Sequence, residues 1–251
     1  MCLPGGSTPI PDLSDHGAGR PRLFLILLLW LVFLIFPGGG FSAALAGATA
    51  TGIVLDNRSH VLTNYHVIEG CGSVMLRHGD LVMRAHPGKY DRLLDLAILV
   101  PEKSFPAIPA SFRNTPPAAG ERIVIAGFPK EVVGKGLLKA VSAEIVTVNS
   151  TTPRPGMMRL SVGLNQGASG GPVLDSSGRV IGLVSGLLVN SRDGKPVEAP
   201  GVALGGDRVQ RFLHRAGIDF RQGKERPATI ASIAKRAASQ VVKIECSGRR
   251  D

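Results

Sequence analysis

The sequence predicts an all-β protein built as two six-stranded antiparallel β-barrels packed face to face, with a short helix near the C-terminal end. Three observations predict it. Short Val/Ile/Leu runs recur along the chain, bounded by Gly, Pro, Asp and Ser turns. Glycine (32) and proline (18) are both abundant, which favours many turns over long helices. The runs also fall into two groups of about six, and closing each group into a barrel removes the exposed edges that short strands otherwise present.

Before the first strand comes the most apolar stretch, "LFLILLLWLVFLIF" from Leu23 to Phe36. It is too short for a comfortable membrane span but suits a signal-peptide core. Arg20 and Arg22 precede it, and Ala44-Leu45-Ala46 fits small-x-small cleavage. Residues 1–46 are thus read as a signal peptide, or as an anchor if uncleaved. Either places the rest of the chain outside the cytoplasm, periplasmic or secreted in one case and membrane-anchored facing outward in the other.

The N-terminal barrel is expected over 47–110. "ATATGIVLD" (48–56) reads as a strand, "HVLTNYHVIEG" (60–70) as a strand running into a helical turn, and 73–87 as a hairpin tipped by Gly79-Asp80. "LLDLAILVP" (93–101) reads as a buried strand. Five prolines between 101 and 120 mark a connection, with the linker at 111–118. The C-terminal barrel is expected over 119–206, from the runs at 122–129, 137–149, 157–163, 172–190 and 200–206. In "GDRVQRFLHRAGI", Val209, Phe212 and Leu213 share a face and Gly217 is a stop, so a helix is expected at 207–218. Residues 219–251 form a basic tail; from Arg221 to Asp251 it holds eight Lys or Arg against Glu225, Glu245 and Asp251.

The net charge is +10, half of it in the stretch from Arg221 to Asp251, which reads as a solvated basic face in preference to a site for anionic surfaces, and no aromatic-basic interleaving points to nucleic acid. There is no HExxH or paired Cys/His spacing for a metal, and no P-loop, so no cofactor is implied. Of three cysteines, cleavage would remove Cys2. Cys71 and Cys246 then remain as an even pair that an oxidising compartment permits to bridge.

The chemistry is carried by "NQGASGGPVLDSSGRVIGLVSG" (165–186). Ser169 has glycines at −2, +1 and +2. Small neighbours let a substrate carbonyl approach, and in such a turn the amides of Gly167 and Ser169 can both face one oxyanion. A serine hydroxyl also needs a base and a group that orients it. His66 in "LTNYHV" stands where a strand gives way to a helical turn. Asp95 lies inside an apolar run, where an acid is costly unless paired, and a histidine N–H is a suitable partner. Asp91 precedes that run and is expected to be solvated.

The order His66, Asp95, Ser169 excludes the α/β-hydrolase elbow, whose order is Ser, Asp, His. Together, "TGIVLDNRSHVLTNYHVIEG", "DLAILV", "GERIVIAGFP", "NQGASGGPVLDSSGRVIGLVSG" and "GVALGGDRVQRFLHRAG" resemble the chymotrypsin-fold serine proteases. The likeness is closest to the catalytic domain of the bacterial high-temperature-requirement (Deg-type) proteases. It implies His66 as general base, Asp95 as its orienting partner, Ser169 as nucleophile, and Gly167 and Ser169 as oxyanion hole. It places Gly163, Leu164 and Asn165 at the primary specificity pocket, and Ser185, Gly186 and Leu187 on the strand edge that pairs with substrate. No acid stands in that pocket, so a small or medium apolar residue before the cut is expected.

The chain departs from the pattern in two places. Ala168 stands where digestive relatives carry the aspartate that pairs with a newly cut N-terminus. About thirty residues follow the terminal helix, too few for the PDZ domain that usually follows in Deg-type relatives. Those relatives begin the domain with a helix and strand. The tail segment "IAKRAASQVVKIECSG" (233–248) reads as a helix then a strand, which leaves two readings: a floppy basic extension, or a return to the N-terminal barrel that fills that place. In the second, Cys246 would reach Cys71. The expected activity is a serine endopeptidase acting on polypeptides. The alternatives are a latent or non-catalytic peptide-binding module on the same scaffold, and an esterase or acyl transferase using the same three residues.

Overall fold

The computed structural model describes residues 48–129, 137–150, 156–187, 191–192, 195–196 and 200–249. The apolar segment 23–36 lies outside the described residues. Among those described, no helix is long and apolar enough to cross a membrane.

The first half holds β1 (Ala48–Val54), β2 (Val61–Thr63), the one-turn helix α1 (Tyr65–Ile68), β3 (Cys71–His78), β4 (Leu81–Asp91), β5 (Leu96–Pro101) and β6 (Ser111–Phe112). The second half holds β7 (Arg122–Gly127), β8 (Lys139–Ser150), β9 (Met157–Leu160), β10 (Pro172–Leu174), β11 (Val180–Leu187), β12 (Ser191–Arg192), β13 (Lys195–Pro196) and β14 (Gly201–Gly205). Helix α2 (Gly206–Ala216), β15 (Arg221–Gln222), α3 (Ile230–Ala238) and β16 (Val241–Arg249) follow.

Two antiparallel barrels result. The first closes in the order β1-β16-β3-β4-β5-β2. In the second, β10-β7-β8-β9-β14-β11 closes through a β10–β11 pairing, while β6 and β15 join the β11 side in parallel. The proline-rich connection therefore contains a short strand, Ser111–Phe112, within the stretch read as linker. Within the run 172–190, Pro172–Leu174 and Val180–Leu187 pair as a hairpin. Asp175 Oδ1 accepts from the amides of Ser177 and Arg179, both at 2.9 Å, and turns the chain.

Period-2 alternation explains why β1 and β5 are apolar on both faces. Ala50, Val54, Ala97 and Leu99 fill the first barrel, while Ile53, Leu55, Leu96 and Ile98 face the other way. Those outer side chains pack on Val124, Leu174 and Leu183 of the second barrel and on Phe212 and Leu213 of α2. Full burial of such a side chain stabilises by about 1.5–3 kcal/mol, so this shared layer holds the barrels together. Helix α2 ends where Gly217, at φ 69°, donates its amide back to the His214 carbonyl.

The tail is integrated in both barrels. Ala228 N–H donates to the Ser176 carbonyl, Arg226 N–H to Ser177 Oγ, and Arg236 Nη1 to the Ser177 carbonyl, each at 2.9 Å. Ile233 and Ala237 of α3 join the shared apolar layer. Strand β16 then lies between β1 and β3, with Ile53 opposite Val241 and Leu76 opposite Ile244. A Cys71–Cys246 disulfide, with 5.6 Å between Cα atoms, joins β3 to β16.

Candidate active site

Asn64 starts α1, and Asp95 immediately precedes β5. Asp95 has φ 58°, a left-handed conformation that aspartate tolerates better than most residues. Its carbonyl accepts from the Tyr65 amide at 3.2 Å and from Asn64 Nδ2 at 3.0 Å. Its carboxylate accepts the His66 amide on Oδ1 at 2.9 Å and meets His66 Nδ1 with Oδ2 at 2.7 Å. The Asp95 side chain is 6% exposed and the imidazole 47%. A buried carboxylate thus holds an accessible imidazole by Nδ1, which leaves Nε2 as the basic nitrogen. Asp91 is elsewhere, accepting from the Leu94 amide and pairing with Arg215 at 3.3 Å.

The Ser169 turn is built by glycines that other residues could not replace. Gly170 has φ 80°, and a Cβ there would lie 2.2 Å from the Thr51 carbonyl oxygen and 2.3 Å from Thr63 Oγ1. The turn is therefore pressed against β1 and against the end of β2 that leads to His66. On its other side, a Cβ at Gly186 would lie 3.9 Å from Ser169 Oγ, and Ser185 Oγ donates to Asp95 Oδ2 at 3.4 Å. Among the described residues, no hydrogen bond joins Ser169 Oγ to His66; such contacts commonly tighten only with substrate in place.

Within the turn, Ala168 N–H donates to the Asn165 carbonyl at 3.1 Å and Gly171 N–H to the Ala168 carbonyl at 2.9 Å. The Gly167 amide belongs to a residue at φ 97°.

The residues expected around substrate are dispersed by role. Gly163 and Asn165 are exposed, while Leu164 is buried against Gly201, where a Cβ would lie 2.6 Å from Leu164 Cδ1. Ser185 and Gly186 lie on β11 at a bulge in its pairing with β14. Leu187 ends the same strand.

Two features escape a reading of the sequence. His60 Nδ1 meets Asp56 Oδ2 at 2.6 Å, a second histidine–aspartate pair. Asp56 Oδ1 also accepts the amides of Arg58 and His60, so this pair locks the turn through Ser59, at φ 63°. Beside His66, Arg92 Nε donates to Tyr65 Oη at 2.9 Å and lies over the rings of Tyr65 and Tyr90. The hydrogen bond that Arg92 donates to Tyr65 raises the Arg92 pKa. The only sequence signal is that these residues flank His66 and Asp95. Among the described residues, no cluster of three or more His, Cys, Asp or Glu could hold a metal ion.

Comparison with known proteins agrees with this geometry. Residues 50–183 match the trypsin-like peptidase domain. The chain is 31% identical over 211 residues to the uncharacterised protein y4bJ of Sinorhizobium fredii, covering 80% of this chain and 32% of that protein. It is 29% identical over 171 residues to the serine protease Do-like HtrA of Lactococcus lactis subsp. lactis, covering 64% of this chain and 42% of that protein. The chain thus spans less than half the length of these curated relatives. The crystal structure of the Rv3671c protease in its inactive form superposes with a TM-score of 0.55 at 26% identity, covering 68% of this chain and 88% of that one. With its double barrel, its aspartate-held histidine and a match over more than half its length, the chain belongs to the trypsin-like peptidase domain family.

Proposed function

We propose that the protein is an exported serine endopeptidase. Ser169 Oγ attacks the scissile carbonyl as His66 Nε2 takes its proton, giving a tetrahedral oxyanion that the Gly167 and Ser169 amides receive. His66 returns the proton to the leaving amine, and water then releases the acyl group from Ser169 by the same path. Asp95 keeps Nδ1–H directed at itself and stabilises the imidazolium. No cofactor enters these steps.

The observation that carries this reading is the double hold of Asp95 on His66, beside a serine turn in which Gly170 and Gly171 admit no side chain. A His–Asp pair alone does not suffice, since His60 and Asp56 form one as well. The polypeptide is seated along Ser185, Gly186 and Leu187. Buried Leu164 and the absence of an acid among Gly163, Leu164 and Asn165 support cleavage after small or medium apolar residues. Residues 23–36 direct export or, if retained, tether the enzyme to the membrane.

Treatment of residues 47–251 with a fluorophosphonate tests the reading by intact mass. A single adduct on Ser169, absent from Ser169→Ala and His66→Ala, is expected, together with peptide hydrolysis that both substitutions abolish. No adduct on a folded sample would favour a peptide-binding role.

A further inference from the structure

We infer that Thr51 is a positioning residue for the oxyanion hole. The inference rests on Ser169 being the nucleophile and on the amides of Gly167 and Ser169 receiving the oxyanion.

Thr51 is fully buried on β1, in the first barrel, yet its polar atoms serve the catalytic turn of the second. Its amide donates to the Ser169 carbonyl at 2.9 Å. Its Oγ1 donates to the Gly167 carbonyl at 2.7 Å and accepts from the Phe128 amide at 3.0 Å. Its carbonyl accepts from Thr63 Oγ1 at 2.9 Å, which ties it to the strand leading to His66. Gly127 clears the path, since a Cβ there would lie 3.1 Å from Thr51 Oγ1 and 3.2 Å from the Ala168 Cα.

One residue therefore grips the carbonyls of the two residues whose amides form the hole, Gly167 through its hydroxyl and Ser169 through its backbone amide. Peptide groups are planar, so fixing the Gly167 carbonyl fixes the plane that follows Gly167. Fixing the Ser169 carbonyl does the same on the far side of the nucleophile. The plane between them is set by the Gly171 amide on the Ala168 carbonyl, which leaves the Ser169 N–H one direction. The Gly167 N–H is joined to this held plane only through φ and ψ of that single glycine. Without the Thr51 hydroxyl, the Gly167 carbonyl and the Phe128 amide lose a buried partner, and the turn can relax by rotating Gly167.

Thr51→Val keeps the shape and removes the hydroxyl; Thr51→Ser keeps the hydroxyl. Fluorophosphonate labelling of the folded fraction is measured beside kcat and KM for a peptide substrate and beside thermal unfolding. Expected are a loss of roughly 10- to 100-fold in kcat and in labelling rate for Thr51→Val, little change in KM, and near-complete rescue in Thr51→Ser. Thr51→Ala, with room for water in place of the hydroxyl, supplies the same comparison if the valine variant does not fold. A variant that labels as fast as wild type per folded molecule, with only its unfolding temperature lowered, would overturn the role of Thr51 while leaving Ser169 as nucleophile. Wild type that takes no label would overturn both.

Discussion

His66 and Asp95 meet twice, through backbone and through side chain: the His66 amide reaches Oδ1 at 2.9 Å and its ring Nδ1 reaches Oδ2 at 2.7 Å. The first bond sets where the histidine stands, and the second sets which way its ring faces and which nitrogen is basic. Asp95→Asn keeps the shape but allows the amide group to donate to Nδ1, which selects the wrong tautomer. We expect kcat to fall by about 10³- to 10⁴-fold with KM nearly unchanged, read by steady-state hydrolysis of a peptide. An equal loss in KM would show that the pair acts in substrate binding.

Gly170 and Gly79 both have positive φ, at 80° and 58°, but only Gly170 is hemmed in. Gly79→Ala meets nothing within 4 Å and should cost only about 1 kcal/mol. Gly170→Ala drives a methyl group into the Thr51 carbonyl and should cost more than about 3 kcal/mol, or displace the Ser169 turn. Urea unfolding of both variants, with labelling of the folded fraction, measures the difference.

The disulfide closes a loop of 175 residues in sequence separation. Such a long closure constrains the unfolded chain strongly, and removing it should cost about 2–4 kcal/mol. The double variant Cys71→Ser with Cys246→Ser is therefore expected to unfold at distinctly lower denaturant than the oxidised protein. Coincident unfolding curves would show that β16 is held by its pairing alone.

On β16, Lys243 Nζ donates to Glu245 Oε1 at 2.8 Å, and this bond holds the Glu245 pKa below the ordinary carboxylate value against the opposing effect of burial. The folded state then holds the Glu245 proton less tightly than the unfolded state. The stability contributed is fully present above the ordinary carboxylate pKa and disappears as pH falls through the lowered folded value. Because the side chain is 32% exposed, the contribution should stay under about 1 kcal/mol. Glu245→Gln is expected to flatten the acid limb of a stability–pH curve slightly, leaving neutral stability a little lower.

The main parts of the candidate site, the His66–Asp95 pair and the Ser169 turn, were legible because each breaks a local rule. An acid within the apolar run at Asp95 requires a partner, and three glycines around Ser169 require a cleared backbone. The double barrel was legible because its strands are short and alternate. Thr51 was not legible, since a threonine in a strand looks ordinary and its hydroxyl meets Gly167 only after both barrels have formed. Nor was the pairing of His60 with Asp56, where a turn-forming aspartate and a nearby histidine carry no sign of their contact. The hairpin inside 172–190 was obscured by apolar residues on both sides of Asp175, which reach the core from two strands.

Strand β16 gives the protein a particular order of assembly. The first barrel has a gap between β1 and β3 until the last strand of the described chain arrives. A ribosome releasing the chain from its N-terminal end thus exposes two unsatisfied strand edges until β16 emerges, and the pairing that seals them is long-range. Such closure is slow compared with local hairpin formation. Because β1 carries Thr51, the grip on the Ser169 turn rests on a barrel that closes only once β16 has emerged, so the turn is among the last parts of the molecule to be fixed.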